Sequence, residues 1–215
     1  TDHSAAFGGM ADVVGWSTQY FTDADLHAMV KYIKSLPPVP PARGDYSYDA
    51  STAQMLDSNN ISGNAGAKTY VDQCAICHRN DGGGVARMFP PLAGNPVVVS
   101  DNPTSVAHIV VDGGVLPPTN WAPSAVAMPD YKNILSDQQI ADVVNFIRSA
   151  WGNRAPANTT AADIQKLRLD HTPLPTPGWA NATEESATWG LFMPQPYGAG
   201  WTFAPQTHAG VDEAQ

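Results

Sequence analysis

The chain's two cysteines stand three positions apart with a histidine directly after them, as Cys74-Ala75-Ile76-Cys77-His78. Side chains three apart on a helical turn share a face. Both thiols can therefore reach the two vinyl groups of one porphyrin as thioethers, and the next residue can swing its imidazole onto the iron. This is the C-x-x-C-H pattern of covalent c-type haem attachment. Other chemistries use these residues less fully. A C-x-x-C redox pair or a surface disulfide leaves the adjacent histidine without a task. A zinc site needs further ligands at fitting spacing, and there is no third cysteine. Thioether attachment takes place outside the reducing cytosol. The motif thus predicts a protein of the bacterial periplasm or an equivalent compartment, with one covalent haem c on Cys74 and Cys77 and with His78 on its iron.

Helices must hold this motif. Gly66-Ala67-Lys68-Thr69-Tyr70-Val71-Asp72-Gln73 leads into Cys74 with Tyr70, Val71 and Cys74 at the i, i+1, i+4 spacing of one face, which predicts a short helix delivering the motif. Further on, Ser136 and Gln139 have the spacing of a capping box, and Ile140, Val143, Val144, Ile147 and Trp151 follow on one stripe. That pattern predicts a helix to about Ala150, ended before Gly152. A further short helix is expected from Pro103 to Asp112, with Asn102 as its cap and Gly113 as its terminator. The fold class expected is all-α.

Composition narrows the function. Charged residues make up 14% of the 215, against 19 prolines and 18 glycines, so much of the chain is expected as loop or extended segment. The net charge of −9, with only 11 Lys and Arg, scattered, disfavours binding to nucleic acid or anionic membranes through a basic face. An acidic surface suits a basic partner, and equally serves plain solubility. No apolar run is long enough to cross a bilayer, and no charged start with an apolar stretch and cleavage site opens the chain. The start at Thr1-Asp2-His3 fits a processed protein or a fragment.

An internal repeat favours the fragment. Thr22 to Leu36 can be laid over Ser136 to Ala150: Asp, Val, Ile and Ser recur in place, and Leu/Ile, Tyr/Phe and Lys/Arg match in kind. This is a duplication at the level of domains. Met10 precedes the first copy much as Met128 precedes the second, at slightly longer spacing. Pro37-Pro38-Val39-Pro40-Pro41 reads as a stiff, extended connection between the two. After Trp151-Gly152 the chain becomes rich in Pro, Thr, Gly and Trp, with a short turn of helix expected within Asp163 to Leu169 and the rest extended. Trp179, Trp189, Phe192, Tyr197, Trp201 and Phe203 are too many large apolar groups for a purely solvated tail, so some are expected to lie on the core or on a partner.

Taken together, the motif and its flanking helices resemble class I cytochromes c. In that family the helix before the haem motif crosses the C-terminal helix, with a glycine and an aromatic residue meeting apolar partners; Gly66 and Tyr70 look like that pair, and Val143 and Phe146 like the opposing side. Phe89-Pro90-Pro91-Leu92-Ala93-Gly94 resembles the family's proline-x-leucine loop. There the carbonyl of Pro90, or else of Pro91, would accept the His78 Nδ1 hydrogen bond, with Leu92 in the same haem-binding loop. Ala127-Met128-Pro129 lies where small class I cytochromes place their axial methionine, which makes Met128 the expected sixth ligand. Met88 and His108 are its rivals: Met88 lies on the segment that must pass the proximal side, and His108 is expected on the solvated side of its helix.

The duplication, Val71 to His78, Phe89 to Pro96 and Asp142 to Arg148 further resemble the multi-haem cytochrome c subunit of bacterial membrane-associated dehydrogenases acting on alcohols, aldehydes, gluconate or N-heterocycles. The resemblance implies three cytochrome domains in a row. Residues 1–36 would be the C-terminal part of a preceding domain, 37–59 a linker, 60–152 the domain with the covalent haem, and 153–215 an extended tail. It also implies a non-enzymatic electron-transfer role, relaying electrons from a dehydrogenase catalytic subunit through upstream cytochrome domains towards ubiquinone or a terminal oxidase. Met10 would then ligate a second haem in the intact protein. The same residues would also serve a haem-based sensor or haem enzyme, in which Met128 would leave the iron, or a structural subunit that keeps its haem as a folding nucleus.

Overall fold

In a computed structural model of the chain, residues 4–37, 45–124 and 126–169 are described. Along them run α1 (Gly9–Trp16), a 3-10 turn (Thr18–Tyr20), α2 (Asp23–Ser35), α3 (Ser51–Asp57), α4 (Ala65–Gln73), α5 (Ala75–His78) and α6 (Thr104–Asp112). The strands β1 (Gly114–Leu116) and β2 (Val126–Met128) follow, and then α7 (Asp137–Ser149) and α8 (Ala161–Leu169). The fold is helical, as expected from the sequence, apart from one antiparallel ribbon in which Gly114 pairs with Met128, Val115 with Ala127 and Leu116 with Val126. Strands of three residues leave no periodic signature, so no pattern in the sequence marks them.

The crossing of α4 with α7 organises the core. Ser136 and Gln139 form the complete capping box, and Ile140, Val143, Val144, Phe146 and Ile147 are all buried on α7. Facing them, Gly66 and Ala67 let the backbones approach: a Cβ on Gly66 would stand 2.7 Å from the Phe146 Cβ. Tyr70 packs beside this contact with its ring 5.5 Å from that of Phe146. Trp151 is not on the α7 stripe where periodicity puts it. The helix stops at Ser149, and Trp151 takes φ 54 and turns back into the core with no exposed surface. Its ring meets Tyr70 edge-on at 5.1 Å, and its indole N–H donates to the Asn80 carbonyl at 2.8 Å. Left-handed backbone costs a non-glycine residue roughly 1–2 kcal/mol, less than burying an indole in an aromatic cluster returns.

Segments that composition assigns to linker and tail also pack on this core. Most of the Pro-rich stretch, 38–44, lies outside the described residues, but 45–59 is not simply a connection. The Tyr46 hydroxyl donates to the Trp151 carbonyl at 2.9 Å, the Trp151 amide donates to the Thr52 Oγ1 at 3.0 Å, and Leu56 of α3 is buried. At the other end, Asn145 and Thr159 exchange two hydrogen bonds, and α8 lies against α7 with Ile164 fully buried. These segments are too short for their apolar positions to register as a period. The tail aromatics from Trp179 onward lie outside the described residues.

α2 contrasts with the helix it repeats. It has the same length of 13 residues as α7 and its own complete capping box, from Thr22 and Asp25. Yet none of its residues is buried. Leu26, Met29, Val30, Tyr32 and Ile33, which correspond in the repeat to Ile140, Val143, Val144, Phe146 and Ile147, are all exposed. Among the described residues, no helix is long and apolar enough to cross a membrane.

Candidate haem site

The motif is placed by hydrogen bonds that run straight out of α4. The Cys74 amide donates to the Tyr70 carbonyl at 2.8 Å and the His78 amide to the Cys74 carbonyl at 3.0 Å, so one turn of α5 carries the attachment residues. Arg79 ends that turn at φ 63, and the buried Tyr70 hydroxyl fixes it by donating to the Arg79 carbonyl at 2.6 Å. Both cysteines are free thiols. Burial first, and then the neighbouring Cys77, push the Cys74 thiol up to about 12.

His78 is 8% exposed, and its Nδ1 lies 2.9 Å from the Pro90 carbonyl oxygen. Burial lowers its basicity, with the Pro90 bond acting in the opposite sense. A neutral imidazole held this way donates from Nδ1 and keeps the Nε2 lone pair for a metal. Of the two prolines left open by the sequence, Pro90 makes the bond and Pro91 instead accepts from the Asn95 side chain.

The Pro90 loop is shaped by a residue that motif reading missed. Gly84 sits at φ 62 against it, and an added Cβ would stand 2.7 Å from the Pro90 carbonyl oxygen. The signal was present in the sequence as the run Gly82-Gly83-Gly84. Leu92 stands in the same loop. The amides of Leu92 and Ala93 both donate to the Gly82 carbonyl, and Leu92 packs against the hydrophobic core rather than lining the cleft.

That cleft encloses about 690 Å³, counting its mouth. Cys74, Cys77 and His78 line it together with Met88, Phe89 and Pro90. Other parts of its wall come from Ile109, from the β1–β2 ribbon with Met128, and from Tyr131, whose hydroxyl donates to the Gln73 carbonyl at 2.8 Å. Tyr131 was not singled out in the sequence, where it looks like any loop aromatic. Met128 is therefore in the cleft on the ribbon, whereas Met88, also lining it, belongs to the loop that bonds His78. His108 is not in the cleft, and it is not simply solvated as expected either. It is half-buried with its Nε2 3.0 Å from the Asp112 Oδ2. Two free thiols, an imidazole with one nitrogen committed and a thioether converging on one apolar cleft fit a covalently held haem. Among the described residues, no group of three or more His, Cys, Asp or Glu could hold a metal without one.

The cytochrome c family model matches residues 64–151. Cytochrome c-552 of Thermus thermophilus is 32% identical over 113 residues, which cover 48% of this chain and 83% of that protein. The chain belongs to the cytochrome c family. It is also 68% identical over 214 residues to the cytochrome c subunit of the quinone alcohol dehydrogenase of Gluconacetobacter polyoxogenes, covering all of this chain and 45% of that subunit. The gluconate 2-dehydrogenase cytochrome c subunit of Pantoea cypripedii is 45% identical over 172 residues, 80% of this chain and 39% of that subunit. The chain thus spans less than half the length of these dehydrogenase subunits.

Proposed function

We propose that this chain is part of a periplasmic cytochrome c subunit that carries electrons from a dehydrogenase catalytic subunit towards ubiquinone or a terminal oxidase, at the outer face of the inner membrane. The observation that carries the proposal is the cleft in which Cys74, Cys77, the Pro90-bound His78 and Met128 converge; the dehydrogenase names of the relatives support the partner.

Haem bound here supplies a one-electron ferric/ferrous couple. Cys74 and Cys77 would hold it by thioether links, His78 and Met128 would ligate the iron, and Pro90 fixes the imidazole through its carbonyl. With His78 and Met128 both staying bound, little of the protein would need to reorganise when an electron passes. A thioether ligand favours ferrous iron and so raises the potential above that of a two-imidazole site. Apolar walls act in the same direction, since low dielectric disfavours the extra positive charge of the ferric form.

Residues 1–36 are read as the end of a preceding cytochrome domain. What supports this is that the exposed stripe of α2 repeats, position by position, the stripe that α7 buries against α4.

The test is to produce the chain in a host that matures c-type cytochromes, extract it with acid acetone and weigh the polypeptide. Haem retained after extraction, with the mass of one haem added, is expected. A polypeptide at its bare mass, or pigment in the extract, would overturn the proposal.

A further inference from the structure

Two parts of the haem cleft's wall run on into tight turns whose tips lie outside it. On the His78 side, Val85 and Phe89 bond each other's backbone at 2.9 and 2.8 Å, and Arg87 stands in the turn between them. Phe89 leads directly into Pro90, whose carbonyl holds the His78 ring. On the Met128 side, Thr119 and Ala122 exchange backbone hydrogen bonds at 2.9 and 3.1 Å beyond the β1–β2 ribbon, and Trp121 stands in that turn. The two tips meet. The guanidinium of Arg87 lies over the Trp121 ring, 4.7 Å from its centroid, and no carboxylate among the described residues pairs with it. Arg87 holds φ 67 there, a left-handed backbone that suits glycine better than arginine; what the arginine adds is the contact with the indole. Trp121 is 74% exposed, so burial in a core does not account for its position.

We propose that Arg87 and Trp121 are positioning residues for the axial methionine: their contact ties the loop that orients His78 to the ribbon that carries Met128, and keeps the two ligands at the separation that one iron between them needs. The proposal rests on the reading of Met128 as the sixth ligand given above. A thioether is a weak ligand, and the two sides of the site are not equally secured. His78 is fixed by its place in the attachment motif and by the Pro90 bond, whereas Met128 depends on where a ribbon of two three-residue strands stands. A two-stranded ribbon is marginally stable by itself. A tie at its tip restrains it from swinging away, and so lowers the population in which the Met128 sulfur has withdrawn. A cation–π contact at an exposed site shifts such an equilibrium by about two- to five-fold. In the withdrawn form a small nitrogen base can donate its lone pair where the sulfur did; no electron is transferred and no proton has to move.

The experiment uses the haem-loaded chain in its ferric form, with Arg87→Gln, Arg87→Lys, Trp121→Leu, Trp121→Phe and the double variant Arg87→Gln/Trp121→Leu. Imidazole is titrated in, and loss of the methionine-to-iron absorption near the red end of the visible spectrum reports displacement of Met128. Arg87→Gln and Trp121→Leu are each expected to bind imidazole about two- to five-fold more tightly than the parent. Arg87→Lys keeps the cation and Trp121→Phe keeps an aromatic face, so each should lie closer to the parent. The double variant should match the single ones rather than multiply their effects, because the same contact is lost in all three. Unchanged imidazole affinity in either Arg87→Gln or Trp121→Leu, no recovery in both conservative variants, or effects that multiply in the double variant would overturn the proposal while leaving Met128 as the ligand. A parent without the methionine-to-iron absorption would instead overturn the Met128 assignment, and this bridge with it.

Discussion

Gly66 lies against Phe146 with no room for a side chain between them: a methyl group there would stand 2.7 Å from the Phe146 Cβ and closer still to the Asp142 backbone. These two residues set how closely α4 and α7 can cross, and so where Cys74 emerges from α4. Backbone atoms of α7 cannot swing aside as a flexible side chain could. Gly66→Ala is expected to cost about 1–3 kcal/mol through forced separation of the helices. The check is a urea unfolding curve of the haem-loaded protein, with a lower midpoint at unchanged slope; a midpoint equal to the parent's would refute it.

Met128 ends β2 inside the cleft, while His108 is engaged with Asp112 at 3.0 Å. Met128→Ala is therefore expected to lower the potential, abolish the methionine-to-iron absorption near the red end of the visible spectrum and open the iron to carbon monoxide. His108→Ala should leave that absorption in place. If the spectrum of Met128→Ala were unchanged, the sixth ligand would have to be another residue, with Met88 the next in reach of the cleft.

Much of this was legible beforehand because it is written in local patterns. The capping box and apolar stripe of α7 need only one helix to be recognised, and the C-x-x-C-H spacing carries its chemistry within five residues. What stayed hidden depends on chain segments meeting from a distance. Trp151 continues the α7 stripe in the sequence, and only the aromatic pocket formed with Tyr70 explains why it leaves the helix. The amides of Leu92 and Ala93 reach back to the Gly82 carbonyl, a contact between segments that no local pattern shows. Tyr131 and Phe7 have no motif at all; each is informative only because the fold brings it to the cleft.

Arg168 is another residue with no motif. From α8 it donates to the carbonyls of Lys132 and Leu135 and to the Asp137 carboxylate, joining the tail-side helix to the turn that separates Met128 from α7. Hydrogen bonds from a charged donor are worth roughly 1.5–3 kcal/mol where water is excluded, and less where it is not; Arg168 is only partly exposed. Arg168→Met keeps the stem and removes the donors. Faster amide exchange is expected at Ile134 and Leu135, whose N–H groups both bond the Tyr131 carbonyl. Unaltered exchange there would mean that the turn holds without α8.

Acid should loosen α8 before it loosens the core. The Asp163 carboxylate accepts from both the hydroxyl and the amide of Thr160 at the start of that helix, which holds it below the ordinary carboxylate value of 3.8. A group depressed in the folded state adds stability that is fully present above its unfolded value and is lost as pH falls through its folded value. The cap is therefore intact at neutral pH and fades below about pH 4. Amide exchange at Ile164, corrected for the intrinsic effect of pH, is expected to accelerate over that range, while exchange at Val144 in the buried face of α7 does not. Asp163→Ala should show the faster Ile164 exchange already at pH 7 and lose the pH dependence. If Ile164 and Val144 instead opened together at every pH, α8 would be part of the same cooperative unit as the haem-binding core.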